Sequence, residues 1–264
     1  MVLSKGSRGN DVRNLQKALN MQFKLNLLVD GDYGNGTVAG VKAMQAKARL
    51  PQTGVYGEEE QKLLTAVIKE KFLSFDTVDQ VAKAERLPAH VLKAIADVEA
   101  KGSGFLNDGR PIILFERHKF YKNLVAAKGL AVARAVQENN PNICHPLWDS
   151  SAYRGKEAEY RRLEQAKQFD ESAALMSASW GMFQIMGENY KECGYSSVQQ
   201  MVAAMYVSEG DHFKAVVQFI KKNKRILDAV LAENFVNLAL YYNGPGYAAN
   251  KYDVKLREAA KLYR

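Results

Sequence analysis

A mostly α chain is predicted, with a compact N-terminal module of three short helices ahead of a larger α-rich domain that carries a small β element. Three observations lead there. Apolar residues recur at helical spacing through most of the 264 residues. The first 70 residues hold a near-repeat built on glycine-bearing turns. One short stretch, residues 110–121, opening Arg110-Pro111-Ile112-Ile113-Leu114-Phe115-Glu116, reads as a strand.

The elements follow in order. Val12, Leu15 and Leu19 share one face of a first helix. Val29-Asp30-Gly31-Asp32-Tyr33-Gly34 is echoed by Gln52-Thr53-Gly54-Val55-Tyr56-Gly57, each a Gly-x-Tyr-Gly turn leading into a helix. Glycine supplies the positive φ that such turns need. Val38, Val41 and Gln45 mark the second helix, with Thr37 near its start. The module is placed at residues 1–68, a linker at 69–76 and the larger domain at 77–264. Asp76 or Thr77 is expected to cap the next helix, with Thr77-x-x-Gln80 as a capping box. Pro88 suits a first helical position and Gly102 a helix end. Residues 198–208 and 213–232 read as core helices.

Composition excludes several classes. With 47% hydrophobic and 25% charged residues the chain can bury a sizeable core. No run of about 18 apolar residues is present, so no membrane span is expected. The N-terminus, Met1 to Gly6, lacks the apolar core of a signal peptide, so synthesis in the cytoplasm is expected. Two cysteines, Cys144 and Cys193, read as free buried thiols. The four histidines show no ligand spacing, and no metal or organic cofactor is implied. The net charge of +8 divides into +3 over residues 1–70, −1 over 71–212 and +6 over 213–264. Such a basic end suits an anionic surface. Nucleic acid is not the expected partner, because no basic helix carries placed base readers.

The motifs are more specific. Gly6, Gly9, Val12, Leu15-Gln16, Leu19, Asp30-Gly31-x-Tyr33-Gly34, Thr37, Gln45, Leu50, Gly54, Gly57 and Leu63-Leu64 together resemble the common peptidoglycan-binding domain over residues 3–66. Downstream, the motifs are Val98-Glu99-x-x-Gly102-x-Gly104-Phe105, Asp108-Gly109-Arg110-Pro111, Leu114-Phe115-Glu116-Arg117-His118-x-Phe120-Tyr121, Ser179 to Met186 and Tyr241 to Tyr247. They resemble a phage and bacterial N-acetylmuramidase family and, more distantly, goose-type lysozymes and soluble lytic transglycosylases. The whole chain therefore resembles a modular phage endolysin with a lysozyme-like catalytic domain.

That resemblance implies hydrolysis of the β-1,4 bond between N-acetylmuramic acid and N-acetylglucosamine, with Glu99 as general acid. Such an acid must keep its proton at neutral pH, which burial favours. Leu92, Ala96 and Glu99 fall on one apolar-flanked helix face, while Asp97 points elsewhere, toward solvent. Glu116 is the candidate second carboxylate, with Asp108 the alternative; an ion pair with Arg117 or another base is the structural reading of Glu116. His118 reads as a hydrogen-bonded structural residue. The resemblance places Ser179, Gln184, Tyr242 and Asn243 on substrate. Trp180 and its neighbours read chiefly as core. In the N-terminal module Asp30, Tyr33 and Gln45 are the candidate peptidoglycan contacts. Residues 251–264 read as a basic amphipathic helix anchored by Val254, Leu256 and Leu262, docked on the domain or adhering to anionic lipopolysaccharide or membrane.

The partner implied is peptidoglycan and the expected state is a monomer. The layout implies action on the periplasmic wall of a Gram-negative host after holin-mediated release. A lytic transglycosylase forming 1,6-anhydro products, and a non-catalytic wall binder, are the alternatives.

Overall fold

The structure, a computed structural model, describes residues 2–99, 102–155 and 157–264, with Glu99 described in its backbone alone. The chain opens with α1 (Asn10–Phe23), α2 (Asn35–Lys47) and α3 (Glu58–Lys71). These three close on Leu3, Val12, Leu15, Leu19, Val41, Met44 and Leu64. The near-repeat has a physical basis in two buried glutamines. The Gln16 carbonyl oxygen accepts from the Gly31 amide at 3.0 Å, and its amide nitrogen reaches Asp30 Oδ1, the Asp32 carbonyl and Thr37 Oγ1. Gln45 treats the second turn the same way, accepting from the Gly54 amide at 2.9 Å and reaching Thr53 Oγ1, the Val55 carbonyl and Glu60 Oε1.

This arrangement corrects two of the expected wall contacts. Gln45 and Tyr33 are buried, and the Tyr33 hydroxyl donates to the Gly54 carbonyl. Both hold the turns rather than face a ligand. Asp30 is exposed.

The expected linker at 69–76 shrinks to residues 72–74. Helix α3 runs to Lys71, and α4 (Phe75–Glu85) starts at once, capped by Ser74 rather than by Asp76 or Thr77. Phe72 and Leu73 are buried, so the connection is packed between the two parts. α5 (Ala89–Glu99) follows directly on Pro88.

The larger domain continues with β1 (Ile113–Phe115), α6 (Arg117–Lys128), α7 (Leu130–Asn139), α8 (Glu157–Lys167), α9 (Glu171–Met176), β2 (Ala178–Trp180) and β3 (Ile185–Met186). The strands form one small antiparallel sheet in the order β1-β2-β3. Ile113 lies opposite Trp180, and Ser179 opposite both Leu114 and Met186. Trp180 is buried and its indole N–H donates to the Leu175 carbonyl, so it is a core residue.

Then come α10 (Val198–Met205), α11 (Glu209–Lys222), α12 (Lys224–Leu231), α13 (Phe235–Asn243) and α14 (Tyr252–Leu262). Ser197, Ser208, Asn223 and Asn234 cap the first four through side-chain oxygens, each accepting an otherwise unpaired amide. The Asn223 cap splits the helix expected over 213–232, and the Ser208 cap starts α11 earlier than expected. α14 docks through Leu256, Ala259 and Ala260, packing on α5. Of its three expected anchors only Leu256 is buried; Val254 and Leu262 are exposed. Cys144 and Cys193 are free and buried, and burial pushes their thiols up to about 11 and about 12.

Candidate active site

The end of α5 sets one side of the site. Val91, Leu92, Ile95 and Val98 are buried, which seats the helix firmly in the core. Glu99 is its last residue. The Glu99 side chain lies outside the described residues, as do residues 100 and 101. Asp97 is not in open solvent as expected: its side chain is 18% exposed and pairs with Arg13 of α1.

The sheet carries the other candidates. Between β2 and β3 the chain turns through Gly181 (φ 71°) and Gln184 (φ 49°). Gln184 is exposed, but its amide is fastened. Its carbonyl oxygen accepts from Ser179 Oγ at 2.9 Å, and its nitrogen donates to the Gly181 and Ile112 carbonyls. Ser179 is buried and spends its hydroxyl on Gln184, so its visible part in the site is to position that amide. Tyr242 and Asn243 close α13 and are half-buried. Gly244 (φ 80°) follows, before a short 3-10 segment, Pro245–Asn250.

Glu116 extends the sheet edge, its amide donating to the Ser177 carbonyl at 2.9 Å, and stands at the start of α6. Its side chain is 16% exposed. The Tyr153 hydroxyl sits 2.8 and 2.7 Å from its two oxygens, and His118 Nδ1 lies 3.3 Å away. Tyr153 also accepts from the Trp148 indole at 3.0 Å. Burial, reinforced by the hydrogen bond to Glu116, pushes Tyr153 up to about 12, so it donates to the carboxylate at neutral pH. The base beside Glu116 is His118 and not Arg117, which pairs with Asp149 at 3.0 Å.

Behind Glu116 stands a buried pair, Glu159 and Arg162, 2.7 Å apart. Glu159 accepts from the amides of Phe115, Arg154 and Gly155, and Arg162 donates to the Phe115 carbonyl. One carboxylate thus fixes both the strand end before Glu116 and the loop that brings Tyr153.

Asp108 is committed elsewhere. It is exposed and takes three hydrogen bonds from Arg110, which also pairs with Glu157. Burial would raise its carboxyl, but the Arg110 hydrogen bonds outweigh that and hold it below the usual range. It lines a cleft between the two parts of the chain, with Asn20, Lys24 and Asn107.

Sequence reasoning missed His212. Its Nδ1 accepts from the Met182 amide at 3.1 Å and its Nε2 donates to the Met205 carbonyl at 2.6 Å, the pattern of a neutral ring. Burial lowers its pKa, consistent with that state. The ring fills the space between two glycines. A Cβ on Gly181 would meet it at 2.6 Å, and one on Gly104 at 2.8 Å. A buried histidine on the apolar stripe of Phe213, Val216 and Val217 was a sequence signal, but its partners lie on other elements.

The profile described as N-acetylmuramidase matches residues 88–264. This chain belongs to the N-acetylmuramidase family. It is thereby a glycoside hydrolase, and residues 8–64 match the profile described as a putative peptidoglycan binding domain. The crystal structure of Burkholderia AP3 phage endolysin is similar over 100% of this chain and 99% of that one, with 37% identity and a TM-score of 0.70. N-acetylmuramoyl-L-alanine amidase CwlL of Bacillus licheniformis is 43% identical over 68 residues, 25% of this chain. The match spans 19% of the length of that amidase, whose activity is a statement about that protein.

Proposed function

We propose that the chain acts as a phage endolysin, hydrolysing the β-1,4 bond between N-acetylmuramic acid and N-acetylglucosamine with Glu99 as general acid. The family match over residues 88–264 carries the reading. Residues 1–68 hold the enzyme on the wall and residues 77–264 cleave it. The placement of Glu99 at the end of a buried helix supports its role. Its proton goes to the leaving oxygen. Glu116, hydrogen-bonded by Tyr153, serves as the second carboxylate, orienting the attacking water or facing the positive charge that develops on the sugar. Asp108 is the weaker candidate, being tied to Arg110. Gln184, held in its turn by Ser179, and Tyr242 with Asn243 contact the sugar chain.

Among the described residues no helix is long and apolar enough to cross a membrane. We place the action on periplasmic peptidoglycan, reached after another protein opens the inner membrane. The outer face of α14, with exposed Lys251, Lys255, Arg257 and Lys261 beside Val254 and Leu262, suits anionic lipopolysaccharide. Loss of sedimentation with lipopolysaccharide in Val254→Ser/Leu262→Ser would support that adhesion, and unchanged sedimentation would remove it.

The test of the main reading is lysis of outer-membrane-stripped Gram-negative cells, with the released fragments weighed. Glu99→Gln should abolish lysis while folding normally. Hydrated products ending in reducing muramic acid mark a muramidase; products lighter by one water mark a transglycosylase.

A further inference from the structure

We infer that α1 of the wall-binding module is part of the catalytic site's scaffold, with Arg13 and Lys17 as positioning residues for the end of α5 and the loop behind it. The inference rests on Glu99 being the acid. It goes beyond a module that only tethers the enzyme to the wall.

Asn10, Arg13, Asn14 and Lys17 lie on one face of α1, and all four meet the larger domain or the short connection to it. The side chains of Asn10 and Asn14 both donate to the Leu73 carbonyl, at 3.0 and 3.1 Å. Arg13 pairs with Asp97, two residues before Glu99. Lys17, one turn on, pairs with Glu209 at 2.8 Å, and both side chains are wholly buried. The Glu209 carboxylate also accepts from the Leu73 amide at 3.0 Å and from the Gly104 amide at 2.8 Å. Gly104 belongs to the segment that follows Glu99. The two cations of α1 therefore act on either side of Glu99 in the chain, Arg13 on Asp97, two residues before it, and Lys17 through Glu209 on Gly104, five residues after it.

The same loop is gripped from the module's side. Phe105 is buried in the module's own core, with the Lys71 ammonium 4.9 Å from its ring centre and the His212 ring 5.1 Å away. Lys24 donates to the Asn107 carbonyl at 2.6 Å, and Asn107 returns a hydrogen bond to the Leu25 carbonyl. His212, three residues after Glu209, holds Gly181 and Met182 at the start of the turn that ends in Gln184. One buried assembly thus joins α1, the loop after Glu99 and the Gln184 turn.

Lys17 is the part that the catalytic domain does not supply. Glu209 left buried without it is an uncompensated charge, which is costly. The carboxylate then draws in water or shifts, and its hold on Gly104 goes with it. A displacement of about 1 Å at a catalytic group can cost about 10²-fold in rate.

The experiment uses the full chain and soluble, uncrosslinked glycan strands, on which wall adhesion is not needed. Lys17→Met, Lys17→Arg, Lys17→Met/Glu209→Gln and the exposed control Lys62→Met are compared by kcat, KM and unfolding temperature. Retention on purified sacculi is measured for each in a Glu99→Gln background. Lys17→Met is expected to lower kcat on soluble strands by about 10²-fold, with KM and sacculus retention unchanged. Lys17→Arg and the double variant should recover part of the rate; the double variant buries no lone charge and keeps the test open if Lys17→Met does not fold. Normal kcat on soluble strands in folded Lys17→Met, or in the double variant if the single does not fold, overturns the proposal, as does a loss confined to sacculus retention. Glu99→Gln in the same assay reads the acid assignment separately, since its activity does not depend on what Lys17 does.

Discussion

Two buried ion pairs stand behind the candidate site, one on each side, and they differ in where the cation comes from. Glu159 and Arg162 sit one turn apart on α8. Lys17 and Glu209 are 192 residues apart and join the two modules. Both carboxylates do the same job: each accepts backbone amides, including one from a segment next in the chain to a proposed catalytic residue. Glu159 takes Phe115, Arg154 and Gly155, next to Glu116 and Tyr153. Glu209 takes Gly104, five residues after Glu99, and Leu73 of the connection between the modules. A buried charge is poor evidence of stability by itself, because desolvation offsets much of the attraction. Its use here is directional: an ionised acceptor gathers several N–H groups at one point and so sets where loops cross. The local pair makes the Glu116 side self-contained, whereas the intermodular pair makes the Glu99 side depend on the wall-binding module.

The largest effect should come from removing each carboxylate. Glu159→Ala strands Arg162 and leaves three amides without an acceptor; Glu209→Ala strands Lys17 and leaves two. Each should destabilise by about 3–5 kcal/mol, with Glu159→Ala the more severe. Urea unfolding of the two full-length variants measures it. A smaller loss for Glu159→Ala would mean that the amide count does not control these sites.

Much of the frame was legible because it rests on local patterns. The spacing of Val12, Leu15 and Leu19 announces α1, and the paired Gly-x-Tyr-Gly turns announce a repeated unit. Ile113 to Phe115 forms the strand expected in residues 110–121. What escaped was decided by distant partners. Nothing near Asp97 says that Arg13, 84 residues away, will pair with it. Tyr33 and Gln45 carry polar groups and sit by turns, so they read as ligand contacts; only the fold reveals that those groups are spent on the turns themselves. Ser74 outcompetes Thr77 as the cap because Thr77 supplies the amide that Ser74 accepts. Tyr153, which touches Glu116, lies 37 residues downstream in a loop with no regular pattern.

A middle-sized effect separates two kinds of glycine near the Glu99 side. Gly181 has φ 71° and no room for a Cβ, which would meet His212 at 2.6 Å. Gly102 has φ 96°, and a Cβ there would meet nothing within 4 Å. Gly102→Ala should therefore cost only backbone strain, about 1–2 kcal/mol. Gly181→Ala should add about 1–3 kcal/mol of overpacking and lower kcat by shifting the turn that ends in Gln184. Equal losses in Tm would show that His212 yields easily and does not hold the turn.

The smallest effect lies on the Glu116 side and concerns pH. Burial, with the neighbouring Glu116 carboxylate, keeps Tyr153 protonated to about 12, above its ordinary value of 10.0. The folded state therefore holds a proton that the unfolded chain releases first. This contribution is complete below pH about 10 and is lost as pH rises toward about 12. Burial also lifts Tyr56, Tyr195 and Tyr263 to about 12, so they act in the same window with the same sign. Wild type should lose stability between those pH values, and Tyr153→Phe should flatten the fall only slightly, since the other tyrosines remain. At pH 7 the same variant removes the donor to Glu116 and should lower kcat while leaving the urea midpoint nearly unchanged. If the midpoint falls and kcat holds, Tyr153 props the loop and Glu116 needs no such partner for catalysis.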